Sequence, residues 1–574
     1  MLIATIPPNT SPAPPAVEAT KRQLLTKDGH RRLGYRAKFF GLLGVLLAVL
    51  LGVSHHIFGP MRHARLGLID DHEILRFLER GRVVSLTDVP RLLMDDTEVG
   101  QWGHGSRLRP MYYLFRIIEA AVHGDDAAAW YLSRMTLVAL TAFGIAALVL
   151  RVLLKGQAHR FLVSVSFAGA TLAGIFVMAM PSWQDIATRL GPSEIYVGIG
   201  LALFAIGSYE VWCVPQRAFG WVFLFAGCMI TAGSKEDGLF LLLPFLLIYL
   251  LRFSHSQHRP LVGTLGMLTM VFGGYIALGV MLGTSSTGGD VYGKGMALGP
   301  FLHVLVRDPY AYAVLLCFAV TLVCDVLLGR EESVAEATSR IGAVRSAFER
   351  RPRATACLVA MYLVVGEAFF YQSYITGGDF DPLRYAFVTQ LATLLACLIA
   401  LVGLVQLGFG GAGPRLWIAV GAVLVVIMPP AGSQVVLAAT KYRANAVATA
   451  DRSVAKFNQI LVGARDTRLG PTAQVVLLVT APTDYEDVFA LPRFLAFYGR
   501  QGPVYLKVNI SPQPDPLLSQ LAEELEVMAT KGKLTSGWRI TPYSRLHPST
   551  PTICFYFGRS RVNLEGCTSS HKIG

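Results

Sequence analysis

Eleven apolar runs, most of them close to 20 residues long, constrain the fold of this chain more than any other feature of its sequence. An α-helix needs about 20 apolar residues to cross the hydrocarbon core of a bilayer. Only 16% of the 574 residues are charged, whereas soluble domains carry about 25%. The sequence therefore predicts a polytopic α-helical membrane protein with about 11 transmembrane helices. The runs are Phe39–Phe58, Trp130–Leu150, Phe161–Met180, Glu194–Val214, Ala218–Gly233, Gly238–Leu251, Leu261–Leu282, Tyr310–Leu328, Thr355–Gln372, Tyr385–Leu407 and Leu416–Leu437.

Basic clusters between alternate runs predict the orientation, because Lys and Arg concentrate in the cytoplasmic loops of membrane proteins. They place the N-terminus inside the cell and predict that segment 331–351 lies along the inner membrane surface. The net charge of +13 is spread over these loops and is not gathered in one patch. This distribution favours an anionic lipid surface over nucleic acid as the partner. The two shorter runs, Ala218–Gly233 and Gly238–Leu251, flank SKED and form either one broken pair or a helical hairpin.

The chain divides into three predicted regions. Residues 1–35 are a disordered, basic cytoplasmic N-terminus, and residues 36–437 are the transmembrane domain, which includes a long first external loop at 59–129. With eleven spans, the tail at 438–574 lies outside, in the periplasm or the extracellular space of a bacterium with this protein in its inner (plasma) membrane. The tail alternates buried-strand and amphipathic-helix patterns, which predicts an α/β domain.

The tail gives two further indications about its chemistry and environment. It has no glycine-rich phosphate-binding fingerprint, so the sequence does not support a nucleotide-binding fold. The predicted strands are AQVVLLVTA, PVYLKVNI, GWRITPYS and TICFYFGR, and the predicted helices are YEDVFALPRFLAFYGR and DPLLSQLAEELEVMATKG. If this tail is extracytoplasmic, Cys554 and Cys567 are able to form a disulfide.

Most carboxylates outside the tail and the inner surface segment fall in the loops of the predicted outer face. Ionisable, glycine-rich loops on one membrane face favour a water-accessible site at that face. The acids are Asp70, Asp71, Glu73, Asp185, Glu194, Glu236, Asp237, Asp290, Asp379 and Asp381, and the accompanying cations are Arg107, Arg109, Lys235, Lys294 and Arg384.

The stretch LGLIDDHEILRFL places Asp70 and Asp71 before a short amphipathic pattern that we expect to lie in the membrane interface. One interpretation makes these aspartates an N-cap and a partner of the helix dipole. The other makes one of them a general base that removes the proton of a hydroxyl nucleophile. A divalent cation such as Mg²⁺ or Mn²⁺, held by Asp70, Asp71 and phosphate oxygens, remains an open alternative.

Four cations of the same face are candidates for binding a phosphate, namely Arg107, Arg109, Lys235 and Arg384. Each also has a structural interpretation. The two arginines of SRLRP and Arg384 are placed where interfacial anchors occur, and Lys235 has the neighbouring Glu236 as a possible partner.

Four short motifs together resemble the GT-C superfamily of membrane glycosyltransferases. They are the acidic pair after the first span, RLRPMYYL at the end of the first loop, the external loop GPSEIY, and SKEDGLFLLLPFLL. The superfamily includes protein O-mannosyltransferases, lipid A aminoarabinose transferases and mycobacterial arabinosyltransferases. The resemblance covers roughly Phe39 to Leu437.

The resemblance implies a polyprenyl-phosphate-linked sugar donor and an inverting transfer to the hydroxyl of a glycan, lipid or protein acceptor. It assigns the role of base to Asp70 or Asp71, where this chain has Asp-Asp-His-Glu in place of the Asp-Glu of many members. Arg109 matches the Arg-Pro element, and Lys235 with Glu236 matches the Lys-Glu element. His72, Glu194 and Glu236 are expected to support the site.

Two other functional classes are compatible with the sequence. A transporter or flippase for a lipid-linked or polar solute carries ionisable groups near the midplane and internal repeats. Here the nearest such groups are Glu210, Asp325 and Glu367, and the sequence has no clear repeat. A non-catalytic assembly component of an envelope pathway is the third alternative.

Overall fold

The computed structural model describes the helical part and most of the tail. The described residues are 39–67, 71–78, 83–97, 109–154, 160–252, 298–328, 348, 350–369, 384–409, 413–464, 474–498, 503–513, 516–531, 541–542, 552–558 and 561–566. Of His72, Glu236, residues 405–409 and residues 413–434 the structure describes the backbone alone. Residues 1–35, the predicted span Leu261–Leu282, most of the segment 331–351, Asp70, Arg107 and Cys567 lie outside the described residues.

Five helices are long and apolar enough to cross a membrane. They are α1 (Phe39–His63), α5 (Ala127–Leu154), α8 (Glu194–Cys213), α12 (Pro309–Leu328) and α14 (Phe387–Phe409), the last preceded by a 3-10 turn at Arg384–Ala386. Other helices of this part are α6 (Arg160–Met178), α9 (Ala218–Ser234), α10 (Leu242–Arg252), α11 (Leu298–Arg307) and α13 (Pro352–Glu367). The prediction of a helical membrane protein is confirmed, while the number of spans stays a prediction.

Helices α9 and α10 form an antiparallel hairpin. The ring of Trp221 near the start of α9 lies 6.0 Å from that of Tyr249 near the end of α10, and Cys228 contacts the carbonyl of Leu241 at 3.7 Å. A 3-10 turn at Glu236–Leu241 reverses the chain between them. Of the two arrangements that the sequence left open, the structure has the hairpin.

The contact between α8 and α9 depends on glycines. A Cβ atom added to Gly207 would overlap the backbone nitrogen of Leu224, and one added to Gly227 would overlap that of Phe204. Small residues let two helix backbones approach closely, and this close packing stabilises helix pairs in membranes.

The first loop contains three helices, α2 (His72–Leu78), α3 (Val89–Asp95) and α4 (Pro110–His123). The helix predicted after Asp71 is therefore present. Its apolar residues Ile74, Leu75, Phe77 and Leu78 are all buried within the protein, against α4 and a helix of the tail. The expectation that this face lies in the membrane interface is wrong, because protein side chains cover it.

The tail folds into a five-stranded sheet with helices. Its strands are β1 (Gln474–Val479), β2 (Val504–Val508), β3 (Thr541–Pro542), β4 (Thr552–Gly558) and β5 (Arg561–Gly566), and its helices are α16 (Tyr485–Phe497) and α17 (Pro516–Lys531). The strand order is β3-β2-β1-β4-β5, with β5 antiparallel to β4 and the other pairs parallel. The predicted strands and helices are confirmed, and β5 was not predicted.

The long helix α15 (Gly413–Ala464) leads into the tail and crosses the predicted domain boundary at residue 437 without a break. Its second half packs on the end of α1. Ser453 Oγ accepts the backbone N–H of Arg65 at 3.0 Å, and the Arg65 guanidinium lies 5.8 Å from the centre of the Phe457 ring. The tail and the first loop therefore lie at the same end of the helical bundle.

Candidate functional site

The segment 179–193, which connects α6 to α8, is the centre of the candidate site. It contains one short helix, α7 (Trp183–Ile186), so several of its backbone carbonyls need donors from other elements. Arg116 donates to the carbonyl of Leu190 at 2.7 Å, and Tyr112 lies 3.0 Å from that of Gly191. Tyr442 of α15 donates to Ala179 at 2.8 Å. We call this segment the α6–α8 connection.

Lys235 and Glu194 form a buried ion pair beside the α6–α8 connection. The Lys235 Nζ lies 2.9 Å from Glu194 Oε1, and the two side chains are 1% and 4% exposed. Lys235 directly follows α9, Glu194 begins α8, and the close packing of these helices brings the two residues together. The structure thus gives Lys235 the partner Glu194.

Arg384 lies next to this pair and is more accessible. Its Nε is 3.4 Å from Asp185 Oδ2, and its guanidinium lies 4.9 Å from the centre of the Tyr385 ring. The Lys235 Nζ lies 5.7 Å from the centre of the same ring. The Arg384 side chain is 21% exposed. Arg384 is therefore the predicted cation of this cluster that is best placed to meet a ligand from outside.

Asp71 is buried at the start of α2. Its Oδ2 accepts the backbone N–H of Gly67 at 2.5 Å, and its carbonyl accepts the N–H of Ile74 at 3.0 Å. The carboxylate therefore closes the turn before α2, which is a structural contribution. The Asp71 side chain is only 3% exposed.

Two residues after Asp71, Glu73 links α2 to the α6–α8 connection. The Tyr112 hydroxyl lies 3.0 Å from Glu73 Oε2 and 3.0 Å from the carbonyl of Gly191. The first loop and the Lys235–Glu194 pair are thus connected to the same segment of chain.

Sequence reasoning missed three charged residues, the buried Arg116 and Arg134 and the partly buried Glu119. Both arginines are fully buried and both donate to the carbonyl of Leu190. Arg134 also lies 3.9 Å from Glu119, which accepts a hydrogen bond from Ser133 at 2.7 Å. The sequence does contain one indication of this cluster, which is Arg134 inside the predicted span Trp130–Leu150. A charged side chain within a span is energetically costly without a partner, so it indicates that a partner is nearby.

The remaining predicted site residues are placed as follows. Arg109 is described and lies directly before α4, where its carbonyl accepts the N–H of Tyr113 at 3.1 Å. Asp70 and Arg107 lie outside the described residues, and so do the side chains of His72 and Glu236.

No group of three or more His, Cys, Asp or Glu side chains that fits a metal ion occurs in the described part of the chain. Asp71, the described member of the pair that the sequence assigned to a metal, has one carboxylate oxygen engaged by the N–H of Gly67.

Two acids within spans form ion pairs that do not involve the α6–α8 connection. Glu210 pairs with Arg151 and Arg217, the latter at 3.7 Å, and Asp325 lies 2.6 Å from Arg353. These cations come from the basic segments that the sequence assigned to the inner face.

No protein family, curated protein or solved structure matches this chain.

Proposed function

We propose that this protein is a membrane glycosyltransferase that moves a sugar from a polyprenyl-phosphate donor to an acceptor hydroxyl with inversion. One observation carries the proposal. The acidic first loop, the Lys235–Glu194 pair and Arg384 come from distant parts of the sequence, and all of them lie against the α6–α8 connection. Acids and cations gathered at one end of a membrane bundle are suited to a reaction at a lipid headgroup.

The proposed leaving group, a polyprenyl phosphate, is an anion and needs cations. Arg384 is partly exposed and presents a planar guanidinium, which binds phosphate oxygens well. Lys235 is buried and paired, so we assign it a positioning role, in which it holds Glu194 and the Tyr385 ring beneath Arg384.

The proposed base is an aspartate of the first loop, Asp70 or Asp71. It takes the proton of the acceptor hydroxyl while the acceptor oxygen bonds to the anomeric carbon of the sugar. The bond between that carbon and the phosphate oxygen breaks at the same time, and its electron pair leaves with the polyprenyl phosphate. Attack opposite the leaving group inverts the anomeric centre.

Two observations support an extracytoplasmic reaction at a bacterial inner membrane. Cys554 of β4 is disulfide-bonded, and disulfides persist mainly in oxidising compartments. The six described cysteines of the membrane part, by contrast, are not disulfide-bonded. Because the tail lies at the same end as the first loop, one compartment is expected to contain both.

The test is sugar transfer by the full-length protein in proteoliposomes, with polyprenyl-phosphate-linked mannose, arabinose and aminoarabinose as donors. We expect transfer with at least one donor, and a loss of about 100-fold or more in Asp70→Asn or Asp71→Asn. The control is Asp95→Asn, an exposed aspartate of the same loop.

Full transfer by both single variants and by the double variant would refute the mechanism. Movement of labelled donor across the bilayer without covalent transfer would instead identify a transporter or flippase.

A further inference from the structure

Helix α11 has an exposed apolar stripe beside an exposed polar one. Leu298, Leu302 and Val306 are between 48% and 71% exposed, and they follow one another at intervals of four residues. Side chains at this spacing lie on the same face of a helix, so the three residues form one stripe. His303 and Arg307 are also exposed and four residues apart, and they form the stripe next to it. The helix therefore presents hydrocarbon and polar groups side by side to its surroundings.

A further side of α11 faces the protein. Val304 is fully buried. The Phe301 ring lies 5.4 Å from the ring of Phe369, which follows the end of α13, and the two rings meet edge to face. A helix with one side on protein, one apolar side and one polar side fits the boundary between a membrane and water.

The contact between Phe301 and Phe369 indicates how α11 runs. Asp325 near the end of α12 accepts the N–H of Arg353 at the start of α13 at 3.0 Å. Counted from this contact, the start of α12 and Phe369 are both about 24 Å away along their helices, so they lie at one level. Phe301 would lie about 12 Å beyond that level if α11 continued α12 in a straight line. Its contact with Phe369 instead favours an α11 that runs along the end of the bundle.

Asp308 separates α11 from α12. Its Oδ1 accepts the N–H of Tyr310 at 2.8 Å and so caps the start of α12, where Pro309 occupies the first helical position. The Tyr312 hydroxyl donates to the carbonyl of Val306 at 2.9 Å, which ties the end of α11 to the first turn of α12. Tyrosine side chains concentrate at the two interfaces of a membrane.

The apolar stripe of α11 continues into the exposed surface of α12. That surface begins at Tyr312, which is bonded to the backbone of Val306, and its members recur at helical spacing. They are Tyr312, Leu315, Leu316, Val323, Val326 and Leu327. Because α12 is long and apolar enough to cross a membrane, this surface is the one that lipid chains cover.

Helix α11 lies at the end of the bundle that carries the candidate site. The sulfur atoms of Cys317 in α12 and Cys397 in α14 are 3.6 Å apart, and a Cβ atom added to Gly403 would lie 3.5 Å from Cys324. The two contacts follow the same order along both helices, so α12 and α14 run in parallel. The start of α12, with α11 before it, therefore lies at the same end as Arg384, which begins the turn before α14.

We propose that α11 is an interfacial helix that binds the phospholipid leaflet at this end of the protein. Its apolar stripe lies among the acyl chains, and His303 and Arg307 face the headgroups. The charge of Arg307 favours anionic headgroups such as phosphatidylglycerol. The proposal does not depend on the glycosyltransferase function, because it follows from the surface of α11 and its place beside α12.

The experiment is photo-cross-linking of the full chain in vesicles of phosphatidylcholine and phosphatidylglycerol. The variants are Leu302→p-benzoylphenylalanine and Val306→p-benzoylphenylalanine, which place the photoreactive group in the apolar stripe. We expect mass spectrometry to find phospholipid on most of the cross-linked α11 peptide. The matched control is Phe301→p-benzoylphenylalanine on the protein side of the same helix, which should cross-link within the chain near Phe369.

Two results would overturn the proposal. Cross-links from Leu302 or Val306 to a second copy of the chain would show that this face is an interface between protomers. A lack of phospholipid adducts at both positions, while the Phe301 variant still cross-links within the chain, would show that the stripe faces water.

Hydrogen–deuterium exchange in nanodiscs tests the role of the polar stripe. We expect the amides of α11 to exchange about fivefold more slowly in nanodiscs that contain phosphatidylglycerol than in phosphatidylcholine alone, because the anionic surface attracts Arg307. Arg307→Gln should remove most of this difference. The control is Arg452→Gln, an exposed arginine whose hydrogen bonds stay within α15, and it should keep the difference. An equal effect of phosphatidylglycerol on the wild type and on Arg307→Gln would overturn the assignment of Arg307 to the headgroups.

Discussion

Lys235 and Glu194 are paired at 2.9 Å between the end of α9 and the start of α8, and both side chains are almost fully buried. The pair lies next to Arg384 and below the Tyr385 ring. It joins the end of α9 to the start of α8, where α8 follows the α6–α8 connection.

We predict that breaking this pair destabilises the protein strongly. Lys235→Met or Glu194→Gln leaves one buried partner without compensation, which costs about 3–5 kcal/mol. The double variant should be much closer to the wild type than the sum of the single losses, because no uncompensated charge remains. Thermal unfolding in detergent, followed by circular dichroism, gives the stability of the wild type, the two single variants and the double variant. Additive losses of stability would show that the two residues act separately.

The glycine contact between α8 and α9 gives a second prediction. Gly207→Ala forces the backbones apart and should destabilise the protein by about 1–3 kcal/mol. Gly52 of α1 has no atom within 4 Å of an added Cβ, so Gly52→Ala is the matched control. Alanine there should be neutral or stabilise the helix by up to about 1 kcal/mol. Equal melting temperatures for the two variants would contradict the close α8–α9 packing.

Asp308, between α11 and α12, gives a prediction about pH. Burial raises its pKa from 3.8 to about 6, against the opposing hydrogen bonds from the N–H groups of Tyr310 and Ala311. The folded protein therefore keeps this proton at pH values where the unfolded chain has released it. The contribution of Asp308 to stability is complete below about pH 4 and declines as the pH rises through about 6.

Asp308→Asn removes this titration. Its stability relative to the wild type should increase between about pH 4 and about pH 7, by on the order of 2–3 kcal/mol, at about 1.4 kcal/mol per pKa unit. Melting temperatures of both proteins across this range measure the difference. A difference that does not vary with pH would show that the carboxyl ionises normally.

Sequence reasoning predicted the helices well and the partners of charged residues poorly. Each apolar run other than Leu261–Leu282 overlaps a described helix. These helices were predictable because the ability of a segment to span a bilayer depends on its own length and apolar composition. The sequence also marked Lys235 and Arg384, which are ionisable groups at the ends of spans. It did not identify Glu194 as the partner of Lys235, because that pairing depends on how α8 packs against α9.

The buried arginines show the same limit more clearly. Arg116 belongs to an amphipathic loop helix and Arg134 to the start of a span, and neither local pattern indicates a shared acceptor. They meet because the α6–α8 connection presents the carbonyl of Leu190 to both. Arg493 of α16 is also buried, whereas an arginine in an amphipathic helix of the tail normally faces water.

The disulfide of Cys554 tests the orientation of the whole chain. If the tail lies outside, a membrane-impermeant maleimide should label Cys554 in intact cells only after treatment with an impermeant reductant. The six cysteines of the membrane part should not be labelled under these conditions, because they lie in or beside the apolar runs. Cys554→Ser should release a thiol at Cys567, which the sequence predicts as the partner, and should destabilise the tail by about 2–4 kcal/mol.

The matched control is Cys213→Ser, which removes a thiol of the membrane part and should leave tail labelling unchanged. Labelling of the tail only after the cells are opened would place the tail in the cytoplasm. The first loop lies at the same end of the bundle as the tail, so that result would move Asp71, Lys235 and Arg384 to the cytoplasmic face as well. A donor exposed at the outer surface of the membrane would then be out of reach of all three.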